Sequence, residues 1–149
     1  MSSPITLRAV EDEVQCLGCF PVMRELRPHL EDAQAFVRQV LRQADQGYRL
    51  LAAWRGDEVV ALAGYRLQEN TLYGRFVYID DLVTRADEQR SGVGQQLIEA
   101  VRAEATDMGY AHLVLDTGLG NALAQRFYFR QGLLARGMHF VQSLKGVRA

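Results

Sequence analysis

The chain has 149 residues, which fits one domain, and 48% of them are hydrophobic, which is enough to bury a core. A balance of 17 Lys and Arg against 18 Asp and Glu gives a net charge of −1. That balance argues against nucleic acid and against a polybasic membrane anchor. No apolar run approaches the roughly 20 residues of a membrane span, and residues 1–4 do not resemble a signal peptide. We therefore expect a cytoplasmic protein with no membrane partner.

The first half of the sequence predicts a strand, two helices and two more strands. A short strand is expected at residues 5–10 and a helix at 11–26, which stops near Pro28. The next helix is the clearest, because six apolar residues recur at helical spacing between Ala33 and Ala44 before Gly47 closes it. Strands are predicted at 48–54 and 59–67, around a hairpin-like turn.

The second half predicts three strands alternating with two helices. After a polar loop at 68–74, the predicted elements are a strand at 76–84, a charged turn at 85–91, a helix at 93–108, a strand at 111–116, a helix at 121–131 and a terminal strand at 138–144. This order predicts a mixed sheet covered by helices, in one layered α/β domain over residues 1–149.

Two cysteines, Cys16 and Cys19, form a CxxC pair inside a predicted helix. Such a pair is typical of a redox motif or of half a zinc site. The sequence has no second CxxC and no closely spaced His pair to complete a metal site. We interpret both as structural thiols of the core, and we expect no metal.

A glycine-rich turn, QRSGVG at residues 89–94, lies between a predicted strand and a predicted helix. Glycine lets backbone amides approach a ligand, and the first amides of a helix lack partners at the positive end of its dipole. The turn therefore suits a pyrophosphate, although a tight turn that needs glycine for its geometry is the alternative. Neither GxxxxGK[ST] nor GxGxxG is present, which argues against nucleotide hydrolysis and hydride transfer.

Two motifs at a characteristic separation resemble the GNAT superfamily of N-acetyltransferases. Residues 89–94 resemble its acetyl-coenzyme A signature, [QR]-x-x-G-x-[GA], and residues 78–84 resemble its preceding strand. Its later motif, N-x-x-A-x-x-F-Y-x-x-x-G, is matched by Asn121, Ala124, Phe127, Tyr128 and Gly132. The departures, at Gln89, Arg90 and Leu133, are mild. The resemblance implies one domain whose central, mixed, mostly antiparallel sheet is flanked by helices and splayed between its fourth and fifth strands.

The resemblance also implies direct transfer of an acetyl group from acetyl-coenzyme A to a primary amine in a ternary complex. The implied donor-binding residues are Leu82, Val83, Thr84, Gln89, Arg90, Ser91, Gly92, Val93, Gly94, Gln95, Asn121 and Phe127. Backbone amides of the turn would cradle the pyrophosphate, and the strand edge at 82–84 would bond the pantetheine arm beside a β-bulge. One amide near Leu82 or Val83 would polarise the thioester carbonyl.

Three residues are the candidate catalytic groups. Tyr128 matches the family's general acid, although an aromatic residue of the core is the alternative. Asp80 is the first candidate base, through a water because an ordinary carboxylate is a weak base near neutral pH. Asp81, which regular alternation sends to the opposite face, is the second candidate and would otherwise bind a cationic acceptor or structure the bulge. A solvated strand end or an anchor for a loop is the alternative for both.

The acceptor is predicted only as a small-molecule or peptide amine, and two neighbouring acids favour a cationic one. Its pocket is expected from the first two helices, the loop at 68–74 and the terminal strand. Candidate polar groups there are Arg24, Arg27, His29 and Tyr73, each also typical of a surface residue. A non-catalytic acyl-coenzyme A sensor and an acyltransferase with a longer donor remain alternatives. The apolar residues of the terminal strand predict a homodimer.

Overall fold

A computed structural model describes residues 3–146, which form five strands, four α-helices and a short 3-10 turn. The elements are β1 (Ile5–Ala9), α1 (Glu13–Leu26), α2 (Ala33–Ala44), β2 (Tyr48–Arg55), β3 (Glu58–Asn70), β4 (Gly74–Thr84), the 3-10 turn (Ala86–Glu88), α3 (Val93–Asp107), β5 (His112–Leu115) and α4 (Ala122–Arg130). The chain divides into two compact units, Met1–Leu115 and Asp116–Ala149. The sheet therefore belongs to the first unit and α4 to the second.

The five strands lie in sequence order in one mixed sheet. The pairs β1–β2, β2–β3 and β3–β4 are antiparallel, and β4–β5 is parallel, which confirms the predicted mostly antiparallel arrangement. The predicted loop at 68–74 is wrong, because Gln68, Glu69 and Asn70 pair with Phe76, Arg75 and Gly74. Backbone hydrogen bonds of the hairpin override the polar composition of this segment, and the loop shrinks to residues 71–73.

Helices lie on both faces of this sheet. One core cluster joins α1 and α2 to β2, with Cys16, Cys19, Phe36 and Leu50 among its buried members. Adjacent residues of a strand point to opposite faces of the sheet. Arg49, the residue before Leu50 on β2, donates a hydrogen bond to Glu104 of α3, so α3 lies on the other face.

Burial raises the pKa of Cys16 to about 11 and that of Cys19 to about 12. Both thiols are free and buried, which confirms their structural interpretation.

The sheet opens between its fourth and fifth strands. Pairing of β4 with β5 runs from Phe76–His112 to Ile79–Leu115 and ends there. Beyond Ile79, β4 continues to Thr84 while pairing only with β3 among the described residues. The backbone of β4 from residue 80 to residue 84 therefore has an edge that no described strand covers.

The second unit contains α4, and its described residues include no strand. The predicted terminal strand at 138–144 is wrong, because these residues have no regular secondary structure. Met138, Phe140 and Leu144 are 70%, 84% and 89% exposed. Alternating apolar residues form a strand only where a partner strand supplies hydrogen bonds, and none is described for this segment.

No helix between residues 3 and 146 has the length and apolar character needed to cross a membrane.

Candidate active site

A β-bulge lies on β4 where its pairing with β5 ends. Gly64 of β3 faces Asp81 while Tyr65 faces Ile79, so Asp80 is an extra residue on β4. Regular alternation would send two adjacent side chains to opposite faces. The bulge instead lets both carboxylates reach partners on the face that α1 covers, which corrects the expectation of opposite faces.

The Asp81 carboxylate is held from two elements that are distant in sequence. Arg27, at the end of α1, donates from Nε to Oδ1 over 3.0 Å, and its second nitrogen lies 2.9 Å from the same oxygen. The Tyr48 hydroxyl donates to Oδ2 over 2.8 Å. Arg27 also donates to the backbone carbonyl of Asp80 over 2.8 Å. Arg27 therefore binds both the side chain and the backbone of the bulge.

Tyr48 reaches Asp81 because Gly64 has no side chain. A Cβ placed on Gly64 would lie 1.9 Å from the Tyr48 hydroxyl oxygen and 2.5 Å from the ring carbon that bears it. Burial, and then the charge and hydrogen bond of Asp81, raise the pKa of Tyr48 well above its ordinary value. The hydroxyl therefore stays protonated and remains a donor to Asp81.

Asp80 forms a two-pronged ion pair with Arg66 of β3. The Nε atom and a terminal nitrogen of Arg66 each lie 2.8 Å from one carboxylate oxygen. The hydrogen bond to Asp80 raises the pKa of Arg66, whose guanidinium also lies 5.3 Å from the Tyr78 ring centroid. Each acid of the bulge is thus paired with an arginine. The negative charges of Asp80 and Asp81 are therefore compensated. The expectation of a cationic acceptor relied on two uncompensated acids, so this pairing removes its basis.

The glycine turn forms an open cradle of backbone at the start of α3. Gly92 is the N-cap of α3 with φ +86°, and Arg90 also has a positive φ of 70°. A left-handed residue other than glycine is uncommon and frequently marks a functional site. No side chain caps α3, and a Cβ on Gly92 would meet nothing within 4 Å. The first amides of α3 are therefore left to bind a ligand or water.

Hydrogen bonds on its N-terminal side anchor this turn. Arg55 donates to both oxygens of Glu88 over 2.8 and 2.9 Å, which holds the pKa of Glu88 below its usual range. The Ser91 hydroxyl donates to the Glu88 carbonyl over 2.6 Å. Most predicted donor-binding side chains of the turn are exposed, namely those of Gln89, Arg90, Ser91 and Gln95. Val93 is 1% exposed and therefore offers a ligand only its backbone.

The remaining predicted site residues of the family motif lie in the second unit. The side chain of Asn121 accepts from the backbone amide of Ala124 over 3.2 Å and so caps α4. The rings of Phe127 and Tyr128 meet edge to face, with centroids 5.5 Å apart. Burial raises the pKa of Tyr128, which keeps its hydroxyl protonated as a general acid requires.

Of the polar groups expected at the acceptor pocket, Arg27 alone is part of the bulge network. Arg24 and His29 are exposed. Tyr73 is half-buried, with its ring 5.6 Å from that of Phe76 and 5.0 Å from that of His112.

The sequence interpretation missed three residues that build the bulge, namely Tyr48, Gly64 and Arg66. One signal was present, because an isolated glycine inside a strand pattern indicates a bulge or a close backbone approach. Gly64 interrupts the apolar run of β3 in this way. Tyr48 and Arg66 gave no comparable signal, since their role depends on pairing across strands.

Known proteins are similar to this chain in sequence and in fold. Residues 7–133 match the family described as Acetyltransferase (GNAT) family. The chain belongs to the GNAT acetyltransferase family. It is an N-acetyltransferase, and a curated relative of the same class is the uncharacterized N-acetyltransferase YhdJ of Bacillus subtilis (strain 168). That relative is 29% identical over 124 residues, which are 83% of this chain and 87% of YhdJ.

Solved structures share the fold of this acetyltransferase. A transcriptional regulator from Bacillus halodurans C-125 has a TM-score of 0.84 at 20% identity, with 95% of this chain and 100% of that chain covered. AAC(6')-Iy, solved with the bisubstrate analogue CoA-S-monomethyl-acetylneamine, has a TM-score of 0.79 at 19% identity, with 95% and 99% covered. At these identities, the likeness establishes the fold.

Proposed function

We propose that this acetyltransferase moves an acetyl group from acetyl-coenzyme A directly to a primary amine of a small molecule or peptide in a ternary complex. One observation carries the proposal: β4 runs five residues beyond its last pair with β5, in the same unit as the uncapped glycine turn at the start of α3. A similar fold, that of AAC(6')-Iy, was solved with a coenzyme A analogue.

Backbone groups hold the donor in this proposal. The amides of residues 90 and 92–95 bind the pyrophosphate, since they lie at the positive end of the α3 dipole. The Ser91 amide donates instead to the Glu88 carbonyl over 3.3 Å. The open edge of Leu82, Val83 and Thr84 accepts the pantetheine arm as an added strand. Asn121 uses its amide oxygen to cap α4, which leaves its NH2 group to donate to the donor molecule. Phe127 supplies an apolar surface.

The reaction forms one C–N bond and breaks one C–S bond. The backbone amide of Leu82, which the register directs away from β3, stabilises the negative charge that develops on the carbonyl oxygen. The Tyr128 hydroxyl gives its proton to the departing thiolate. The proton that the amine loses passes to water, and Tyr128 recovers a proton from solvent.

Asp80 is the base in this proposal, and it acts through a water. Both of its oxygens accept from Arg66, which positions the carboxylate and competes for its lone pairs. A carboxylate has about four lone-pair sites, so each oxygen retains one for a water. Asp81, held by Arg27 and Tyr48, structures the bulge.

A thiol-release assay tests this function. Acetyl-coenzyme A is offered with amino acids, polyamines, aminoglycosides and peptides that bear a free N-terminus, and free coenzyme A is measured. The proposal expects acceptor-dependent release well above hydrolysis. Binding of acetyl-coenzyme A without release for any acceptor would support the sensor alternative, and a series of acyl-chain lengths tests the longer-donor alternative.

Three further predictions accompany this function, namely a single N-acetyltransferase domain over residues 1–149, a cytoplasmic location and a homodimer. Support for the homodimer comes from exposed apolar side chains of the second unit, such as Leu134, Phe140 and Val141. Light scattering over a range of concentrations tests it, and a monomer mass throughout would contradict it.

A further inference from the structure

We propose that Arg27 and Tyr48 are positioning residues that fix the β4 bulge and thereby set the donor-binding edge at residues 82–84. This inference rests on the proposed function, because it assumes that this edge binds acetyl-coenzyme A. Neither residue touches the reacting atoms in the proposal. Their effect passes through Asp81 and the backbone of Asp80.

The bulge needs such support because of where it lies. Asp80 is the extra residue that interrupts the β3–β4 ladder, and pairing with β5 has ended one residue earlier. An extra residue in a bulge is left unpaired. Arg27 supplies a bond to its carbonyl, at 2.8 Å. Arg27 thus replaces part of the hydrogen bonding that the irregular backbone loses.

Asp81 transmits this support to the next residues. Its two carboxylate oxygens accept hydrogen bonds from different partners, Oδ1 from Arg27 and Oδ2 from Tyr48. The Asp81 side chain is 12% exposed. Hydrogen bonds to a charged group contribute more than neutral ones. Leu82 follows directly, and its strand is paired on one side only. The position of the donor edge therefore depends on how firmly Asp81 is held.

Tyr48 is itself fixed by the missing side chain of Gly64. Its ring lies over the backbone of β3 at the register partner of Asp81, where any Cβ would overlap it. Tyr48 is 5% exposed and belongs to the core cluster. Packing in the core therefore fixes the position of the Tyr48 hydroxyl. A donor on a flexible, exposed side chain would not be held in this way.

Four variants test the inference, namely Tyr48→Phe, Arg27→Met, Arg27→Lys and Arg38→Met. Tyr48→Phe removes one hydroxyl and keeps the ring. Arg27→Met removes the bonds to both parts of the bulge, and Arg27→Lys restores the charge with fewer donors. Arg38→Met is the matched control, because Arg38 is exposed on α2 and no ion pair is described for it.

The first measurement needs no donor. Amide hydrogen exchange of residues 80–84 is compared among the free proteins, alongside the midpoint of urea unfolding. We expect faster exchange at 80–84 in Tyr48→Phe and Arg27→Met, beyond what any lowering of the denaturant midpoint explains, and unchanged exchange in Arg38→Met. Exchange at wild-type rates in both variants would overturn the inference, whatever the protein binds.

The second measurement is calorimetric affinity and KM for acetyl-coenzyme A. We expect about a tenfold loss of affinity for Arg27→Met, several-fold for Tyr48→Phe and partial recovery in Arg27→Lys, since a lost hydrogen bond to a charged group costs about tenfold or more. We expect a smaller fall in kcat at saturating donor, because the same bulge carries Asp80. Wild-type affinity in both variants, or a fall in kcat alone, would overturn the inference and leave the function standing. Absence of binding by the wild type would overturn the proposed function instead.

Discussion

The two parts of the first unit proposed to hold the donor are built in different ways. The bulge of β4 is held by side chains, since Arg27, Tyr48 and Arg66 reach it from three other elements. The glycine turn is shaped by its own backbone, with positive φ angles at Arg90 and Gly92 and no side-chain cap on α3. The bulge therefore depends on distant residue identities, whereas the turn depends on a local conformation.

This difference explains why a local motif describes the turn completely but does not include the side chains that hold the bulge. A motif can only describe residues that are close in sequence, and the backbone conformation of the turn lies within residues 88–94, with Arg55 as a distant anchor. The contacts of the bulge span 14 to 54 positions of the chain. Mutations in the two parts should therefore have effects of different size. The largest expected effect is on donor affinity, for a mutation in the turn, and the smallest is in the core that packs beside the bulge.

The largest effect is expected at the turn, for Gly92→Glu. The new carboxylate would stand beside the bound pyrophosphate, where like charges cost several kcal/mol, so affinity for acetyl-coenzyme A should fall by roughly 100-fold or more. Calorimetry measures the loss, and circular dichroism checks the fold. Gly92→Asn is the control, since asparagine tolerates the left-handed conformation without adding charge. Unchanged affinity in Gly92→Glu would remove the turn from the donor site.

Tyr128→Phe separates binding from chemistry in the second unit. If the hydroxyl protonates the thiolate, kcat should fall by about 100-fold, the small end for a general acid, because a thiol of pKa near 8.5 leaves readily. Affinity for acetyl-coenzyme A should change little. Since burial raises the pKa of Tyr128, kcat of the wild type should not decline at pH values below the ordinary tyrosine range near 10.

Steady-state kinetics across pH with a working acceptor provides the check on Tyr128, and Tyr110→Phe is the control for a tyrosine outside the proposed site. Activity of Tyr128→Phe equal to wild type at every pH would leave Tyr128 as a packing residue of α4.

Gly64→Ala tests the side-chain dependence of the bulge. The added Cβ would overlap the Tyr48 ring, so either the ring or β3 must shift. Overpacking of this kind costs about 1–3 kcal/mol of unfolding free energy, measured by urea denaturation. Gly18→Ala is the control. Gly18 lies within α1, where alanine is preferred to glycine, and its new Cβ would only touch the Val59 side chain, at 4.0 Å. Equal stability of both variants would mean that Tyr48 is not fixed as described.

The smallest effect concerns Cys16 and Cys19, which belong to the same core cluster as Tyr48. Their raised pKa values, about 11 and about 12, leave little thiolate at pH 8, so labelling by a thiol reagent should be slow in wild type and Tyr48→Phe and faster in Gly64→Ala. The pKa shifts favour folding below the ordinary thiol value of 9.0, and this contribution is lost as pH rises towards 12. Rapid labelling of Cys16 and Cys19 in Tyr48→Phe would show that this substitution disturbs the core and not only the bulge.

The sequence predicted most elements within a few residues because their periodicity is local. Helix α2 was predicted at its observed limits, Ala33–Ala44, since its apolar face is regular. The terminal strand at 138–144 failed, because alternation alone supplies no partner for its backbone. The catalytic candidates Asp80 and Asp81 were found from their positions, but their pairing with Arg66 and Arg27 was not, because it depends on a bulge and on cross-strand register.

The central claim is that backbone at two separate places binds the donor, and amide hydrogen exchange with and without acetyl-coenzyme A tests it most directly. The account predicts slower exchange at residues 82–84 and 90–95 when the donor saturates the protein, with little change across β1 (Ile5–Ala9). Protection confined to other segments, or saturation without protection at either place, would contradict it.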